Sequence, residues 1–470
     1  MGILSVIKNQ WKHFIVDKGM IFFYIISIII VGLIAPYFMK NFQTSFTIIA
    51  VLTIMVSKPL ISDSVASERE KKTLESVLSS PITIIEYLIG KVAFCMLFSS
   101  IFWLLCNIVF YIACNYFSIS ITSSRVVITE WFISIIIVLL LVTVAGIYKS
   151  SKSENIHIAQ NKINVISYPL IILLIIYFGV TNTNIIEAKI VINVIFYTII
   201  VVLLVRNIRK LFQMNHSDFY EGIIKEEKNI EFLSSEKGLL LGYGDFMTVI
   251  CHEFKYMKTL KTLNYSFLVN FIGPVAMLLV SNYFTGEYNI YFSVLTMNMM
   301  IPKIPTSYVA YSIGGEKTYK TGESLLSTPI SLSSMILGKT VLPNIISAIT
   351  IIVSTLLTLP VYSYVKNVNA IVGLSASTWI LLIPVSLLSS IIMTFLIAIL
   401  SFTLKTPRQA YLVTIFGGYI FMVPTAFILF VASNQLLWSL IYLAVLMISI
   451  FVLLFFVKHK INRPLLVSKL

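Results

Sequence analysis

The chain has 470 residues, 58% of them hydrophobic and 11% charged, with a mean hydropathy of +0.94. A soluble globular protein carries roughly 25% charged residues, which sets aside water-soluble domains and makes the bilayer the expected solvent. The net charge is +14, a value that would point to nucleic acid in a soluble protein and has to be located along the chain before it is interpreted.

The first stretch patterns an amphipathic helix. Ile3, Leu4, Ile7, Trp11, Phe14 and Ile15 share one face, with Lys8, Asn9, Lys12 and His13 opposite. Such a helix is expected to lie along the inner membrane surface. No small-residue cleavage site follows the first apolar run, so a cleaved signal peptide is not expected. Six apolar runs come next: Met20–Phe38, Phe46–Ile61, Lys91–Tyr116, Thr129–Tyr148, Val165–Val180 and Ile190–Leu204. A polar stretch from Arg206 to Leu260, with "KEEKNIEFLSSEKG" inside it, reads as a cytoplasmic linker. Within its second part Phe246, Val249, Ile250, Phe254 and Met257 repeat the amphipathic pattern. Six further runs follow: Leu263–Phe284, Tyr291–Val309, Thr340–Val361, Trp379–Phe402, Tyr411–Phe430 and Trp438–Val457. A helix needs roughly 20 residues to cross the hydrocarbon, so the expectation is an all-α polytopic membrane protein with about 12 transmembrane helices.

Assigning the runs to alternate sides locates the charge. With the N-terminus inside, all but Lys40, Arg125, Lys189 and Lys366 of the 34 Lys and Arg fall on the cytoplasmic side. That is the bias of positive-inside topology, and it puts both termini in the cytoplasm. It also explains the +14 without nucleic acid, because the charged loops face an anionic leaflet.

A polar cassette occurs twice. Ser64–Lys91 lies without gaps on Ser312–Lys339 at a shift of 248, with 12 of 28 positions identical. The same shift sets Trp131 on Trp379, each expected to open a span at the outer interface, where Trp is favoured. The chain therefore reads as two homologous, parallel six-helix halves, residues 1–205 and 246–470, joined by a linker over 206–245.

Each cassette runs from a charged cluster to a Ser/Thr-Pro step, which disfavours helix. A second short helix is expected to run to Gly90 and Gly338, with a break there and an interfacial lysine after it. The result is a helix hairpin at the inner surface between the second and third spans of each half. "GKT" at Gly338–Thr340 is not a P-loop, because Ser333 stands where that motif needs glycine. No catalytic constellation is present. The five histidines have no metal-ligand spacing, and Cys95, Cys106, Cys114 and Cys251 form no CxxC pair.

The cassettes "EREKKTLESVLSSPITIIEYLIGK" and "EKTYKTGESLLSTPISLSSMILGK" resemble the hallmark of the permease subunits of type-two ABC exporters. In that family an acidic-basic cluster precedes T-L-E-x-L-L-x-T/S-P and then G-K before the third span. The second copy departs from it, with Gly322 in place of the Leu at Leu74 and Thr318-Tyr319 in place of Glu70-Lys71. The resemblance implies amphipathic elbow helices, a cytoplasmic coupling helix in each half, and transport driven by two copies of a separate ABC ATPase subunit that holds ATP and Mg. The ATPase-docking residues it implies are Glu68, Arg69, Glu70, Lys72, Thr73, Glu75 and Pro81, and in the second copy Glu316, Lys317, Lys320, Thr321, Glu323 and Pro329.

Ionisable groups inside spans usually mark pathways. Lys58 and Lys303, at the inner ends of the second span of each half, are the substrate-pathway candidates, with snorkelling to the headgroups as the plainer role. A mostly apolar path suits an amphipathic or lipophilic cargo. The family resemblance adds a small antimicrobial peptide, exported or pumped out for self-immunity, across a bacterial cytoplasmic membrane. The alternatives are an ion-coupled secondary transporter and a non-transporting membrane scaffold or sensor.

Overall fold

A computed structural model describes residues 2–16, 18–29, 32, 42–70, 73–74, 79, 82–117, 125–153, 156–181, 186–215, 247, 249–251, 253–254, 263–285, 287–302, 305–306, 308–310, 312–313, 332–367, 370–403 and 407–460. Among the described residues there is no strand. Among the described residues eight helices are long and apolar enough to cross a membrane, which makes this a multi-pass membrane protein by length and composition. The chain divides into two compact units, Met1–Lys237 and Gly238–Leu470.

The first unit contains α1 (Gly2–Val16), α2 (Lys18–Ile29), α3 (Phe42–Glu70), α4 (Ile84–Tyr116), α5 (Arg125–Ser151), α6 (Ile156–Thr181) and α7 (Ile186–Phe212). Helix α3 is central and packs on α4, α5 and α6. It comes close to α5 at Gly146, where an added Cβ would overlap the side chain of Ile61. Small residues let membrane helices come this close. The unit is polarised. Phe46 packs on Trp103 and Trp131, with ring centroids 5.3 and 5.5 Å apart, and Trp131 on Phe178 at 5.2 Å. The opposite end holds buried Ser62, Ser64, Ser67, Arg69, Lys91, Ser150 and Ser151.

Four sequence expectations change here. The second span does not stop near Ile61. Nothing in "ISDSVASERE" breaks a helix, so α3 continues to Glu70 and absorbs the head of the cassette. Gly90 marks no break, because α4 starts at Ile84 and runs 33 residues. Its start is a capping box, in which Glu86 N–H donates to Thr83 Oγ1 at 3.2 Å and Thr83 N–H to Glu86 Oε2 at 3.1 Å. Trp131 is fully buried in the aromatic end. Helix α5 begins at Arg125, nearly two turns earlier, so Trp131 lies inside the bundle. Helix α7 runs to Phe212, into the stretch expected to be linker, with Arg209 and Lys210 favouring its C-terminus.

Helix α1 is amphipathic, but its docked face differs from the one expected. Val6 is buried and meets Gly90, where an added Cβ would sit 2.8 Å from Val6 Cβ. Trp11 packs edge-on against Phe94 at 5.5 Å. Leu4 and Ile15 are exposed, leaving the rest of the apolar face for lipid.

The second unit contains α8 (Leu263–Thr285), α9 (Tyr291–Met300), α10 (Leu332–Lys366), α11 (Ala370–Gly373), α12 (Ala376–Ile380), a π turn (Leu381–Val385), α13 (Ser386–Thr403), α14 (Pro407–Phe430) and α15 (Gln435–Lys460). The π turn contains Pro384, which has no N–H to continue the α ladder. At the start of this turn the carbonyl of Leu381 accepts from buried Asn298 Nδ2 at 3.0 Å. Hydroxyls join α10 to α13, with Ser347 Oγ 2.5 Å from Ser390 Oγ and Thr394 Oγ1 donating to Asn344 Oδ1 at 3.0 Å.

Candidate functional site

The charged end of the first unit is built where α3 stops. Thr73 N–H donates to the Glu68 carbonyl at 2.9 Å and closes the last turn. The three charged residues of that turn, Glu68, Arg69 and Glu70, each reach a different helix.

Glu68 faces α4. Its Oε1 accepts from Lys91 Nζ, and its Oε2 accepts from Tyr87 O–H at 2.5 Å. Lys91 also donates to the Ser64 carbonyl at 2.6 Å. The lysine side chain is 1% exposed and the glutamate 17%. A charge so deeply buried is tolerable only when paired and hydrogen-bonded. Lys91 is therefore not the interfacial lysine expected from the sequence, because a carboxylate of the cassette meets it inside the bundle.

Arg69 and Glu70 grip the turn between α5 and α6 from its two ends. Arg69 Nη2 donates to the Ser151 carbonyl at 2.6 Å, and Nη1 donates to the Ser153 carbonyl. These are orphan acceptors at the C-terminal end of α5. Glu70 Oε1 accepts from Ile156 N–H at 3.0 Å, an orphan donor at the start of α6. Each charge also has the sign that its helix end favours, a cation at a C-terminus and an anion at an N-terminus. A neighbouring hydroxyl adds a further tie, with Ser150 Oγ donating to the Ser62 carbonyl at 2.8 Å and accepting from Ala66 N–H at 3.1 Å.

In the second unit the equivalent lysine is also buried and also meets an acid, Glu253. Lys339, the repeat equivalent of Lys91, is 2% exposed and donates to Glu253 Oε1 at 2.6 Å and to Ser312 Oγ at 2.7 Å. Ser312 Oγ also donates to Glu253 Oε1 at 3.0 Å, and Tyr308 O–H to its Oε2 at 2.6 Å. Glu253 belongs to the amphipathic stretch before the span. "NQWK" at Asn9–Lys12 aligns with "HEFK" at His252–Lys255, which sets Gln10 on Glu253. In the first unit Gln10 Nε2 lies 3.5 Å from Glu68 Oε1. The buried lysine thus keeps its place in both units; among the described residues, the acid it meets lies at the end of α3 in one and in the amphipathic stretch in the other. Sequence reading missed Glu253, and the signal that would have found it is this four-residue alignment at a shift of 243.

Lys58 lies about 18 Å along α3 from Glu70 at 1.5 Å per residue. It is buried, donates to Asn164 Oδ1 at 3.3 Å and sits 3.9 Å from the centroid of the Tyr168 ring. It therefore points into the bundle near mid-helix and does not snorkel. A cation over an aromatic face in a dry site is well accommodated.

Thr73 is exposed and Leu74 buried, just past the end of α3. Lys72, Glu75, Pro81, Lys303, Glu316, Lys317, Lys320, Thr321, Glu323 and Pro329 lie outside the described residues. Among the described residues no group of His, Cys, Asp or Glu is arranged to hold a metal ion. No protein-family model matches the chain, and no curated protein sequence matches it.

Proposed function

We propose that the chain is the membrane permease of an ATP-driven exporter of the ABC type, with two parallel six-span halves and both termini in the cytoplasm. It works with two copies of a separate ATPase subunit, which hold ATP and Mg. Its cargo is amphipathic or lipophilic, best a small antimicrobial peptide, moved out across a bacterial cytoplasmic membrane.

The observation that carries this reading is the cassette, repeated in register 248 residues apart, whose first copy begins in a turn wired to three helices. A soluble motor can drive a membrane bundle only through rigid contact. Two ATPase subunits need two docks, and the sequence has two. Glu68, Arg69 and Glu70 take the transmitting role here, because their side chains are engaged with α4, α5 and α6. Docking then falls to the part of the cassette that begins at Lys71.

Co-purification tests the reading. The full chain, expressed with a candidate ABC ATPase subunit, is expected to hold two ATPase copies and to change their rate of hydrolysis. Cargo movement driven by a proton gradient, with no ATPase attached, would instead establish a secondary transporter.

A further inference from the structure

Beside the grip on Ser151 the first unit gathers cations. Lys149 and Lys152 flank the end of α5, and Lys210 lies in the last turn of α7. Their ammonium nitrogens are 5.9, 5.5 and 5.9 Å from the centroid of one ring, that of Tyr148. Arg206 and Arg209 stand exposed on the same end of α7. The two helices are fixed here, with Leu211 and Met214 buried and Ser151 Oγ 3.3 Å from Met214 Sδ. The cations therefore cannot separate by a drift of the helices.

Among the described residues no carboxylate lies within ion-pair distance of Lys149, Lys210, Arg206 or Arg209. Basic residues near a helix C-terminus are favoured by its dipole, which accounts for one or two on each helix. The dipole does not account for both helices turning their cations onto one ring. The Tyr148 ring attracts each cation singly, but the ammonium groups gathered on it repel one another, and an anion would relieve that repulsion.

Helix α7 indicates where that anion comes from. Val201, Val202 and Val205 are 50%, 60% and 44% exposed, an apolar surface that leads along the helix to Arg206 and Arg209. A free phosphate would satisfy the charges and leave this surface bare. A phospholipid fits both, with its acyl chains along α7 and its headgroup at the cations. We infer that the Lys149–Tyr148–Lys210 cluster is a binding site for the headgroup phosphate of an anionic phospholipid. The inference does not depend on the transport reading.

The test uses the full chain in detergent, titrated separately with phosphatidylglycerol, phosphatidylcholine and inorganic phosphate. Retained lipid is read by native mass spectrometry and stability by the thermal midpoint. Phosphatidylglycerol alone is expected to be retained and to raise the midpoint. A juxtamembrane cation contributes about 1 kcal/mol to anionic-lipid binding, so Lys149→Gln with Lys210→Gln should weaken retention about 30-fold. Arg206→Gln with Arg209→Gln, at exposed positions that do not disturb packing, should also weaken it while leaving the midpoint in phosphatidylcholine unchanged. Lys8→Gln with Lys12→Gln on α1 should change nothing. Equal retention of the two lipids, retention of phosphatidylglycerol undiminished in the Lys149/Lys210 pair, or equal protection by inorganic phosphate would each overturn the assignment.

Discussion

Lys339 Nζ lies 2.6 Å from Glu253 Oε1, and both side chains are 2% exposed. Removing one member of such a pair strands the other charge away from water, at a cost of about 3–5 kcal/mol. Glu253→Gln is therefore expected to destabilise the second unit by about that much in detergent unfolding. Replacing both residues with methionine is expected to recover most of the loss, because no charge is then left stranded. A double variant as unstable as the single one would mean that the pair is not what the site depends on.

The two units predict a transplant. Gln10 occupies the place of Glu253 and lies 3.5 Å from Glu68 Oε1. Glu68→Gln strands Lys91, and adding Gln10→Glu should rescue it by rebuilding the second unit's arrangement in the first. Gln10→Ala should give no rescue. The readout is the unfolding midpoint of all three variants.

Glu70 Oε1 accepts from the Ile156 amide at 3.0 Å. Glu70→Ala is expected to cost about 1 kcal/mol, the usual worth of a helix cap, and to speed hydrogen exchange at Ile156. Exchange at mid-helix amides of α6 should not change. Uniform acceleration along α6 would indicate general loosening and not a lost cap.

Two glycines should respond with opposite signs. A Cβ at Gly146 overlaps Ile61 in the α3–α5 contact, so Gly146→Ala should destabilise by about 1–3 kcal/mol. At Gly273 the nearest atom to an added Cβ is the flexible Met300 Sδ at 3.4 Å. Gly273→Ala removes backbone freedom from the unfolded chain and should be neutral or stabilising by up to about 1 kcal/mol. Unfolding midpoints of the two variants decide the signs.

Glu287, in the loop between α8 and α9, accepts from Lys366 Nζ at 2.8 Å. That hydrogen bond, and then the lysine charge, hold its carboxyl below the ordinary carboxylate range. A group depressed on folding contributes stability above its unfolded pKa and loses it as pH falls through the lower folded value. Lys366→Gln should move the Glu287 titration back up to the ordinary range, as should high salt, since the pair is exposed. Titration of labelled glutamate carboxyls by NMR checks both.

The multi-pass helical character was legible in the sequence because it depends on composition and run length, which the bilayer imposes residue by residue. The repeat was legible as identity in register. Helix ends were not, because nothing local announces that α3 runs on to Glu70 or that α4 ignores Gly90. Exposure of single polar residues was also hidden. Trp131 and Lys91 follow interfacial rules in sequence, yet one fills an aromatic core and the other a buried ion pair.

Composition and run length alone establish a multi-pass helical membrane chain, and identity in register shows that "SEREKKTLESVLSSP" has a partner 248 residues on. What the charged residues around it meet depends on how distant segments fold together. Glu68 closes on Lys91, Arg69 and Glu70 hold opposite poles of two neighbouring helices, and Lys339 takes its acid from Glu253. The physical reason is that a buried charge requires a counter-charge within a few ångströms, and the fold can bring that partner from any element whose end passes nearby.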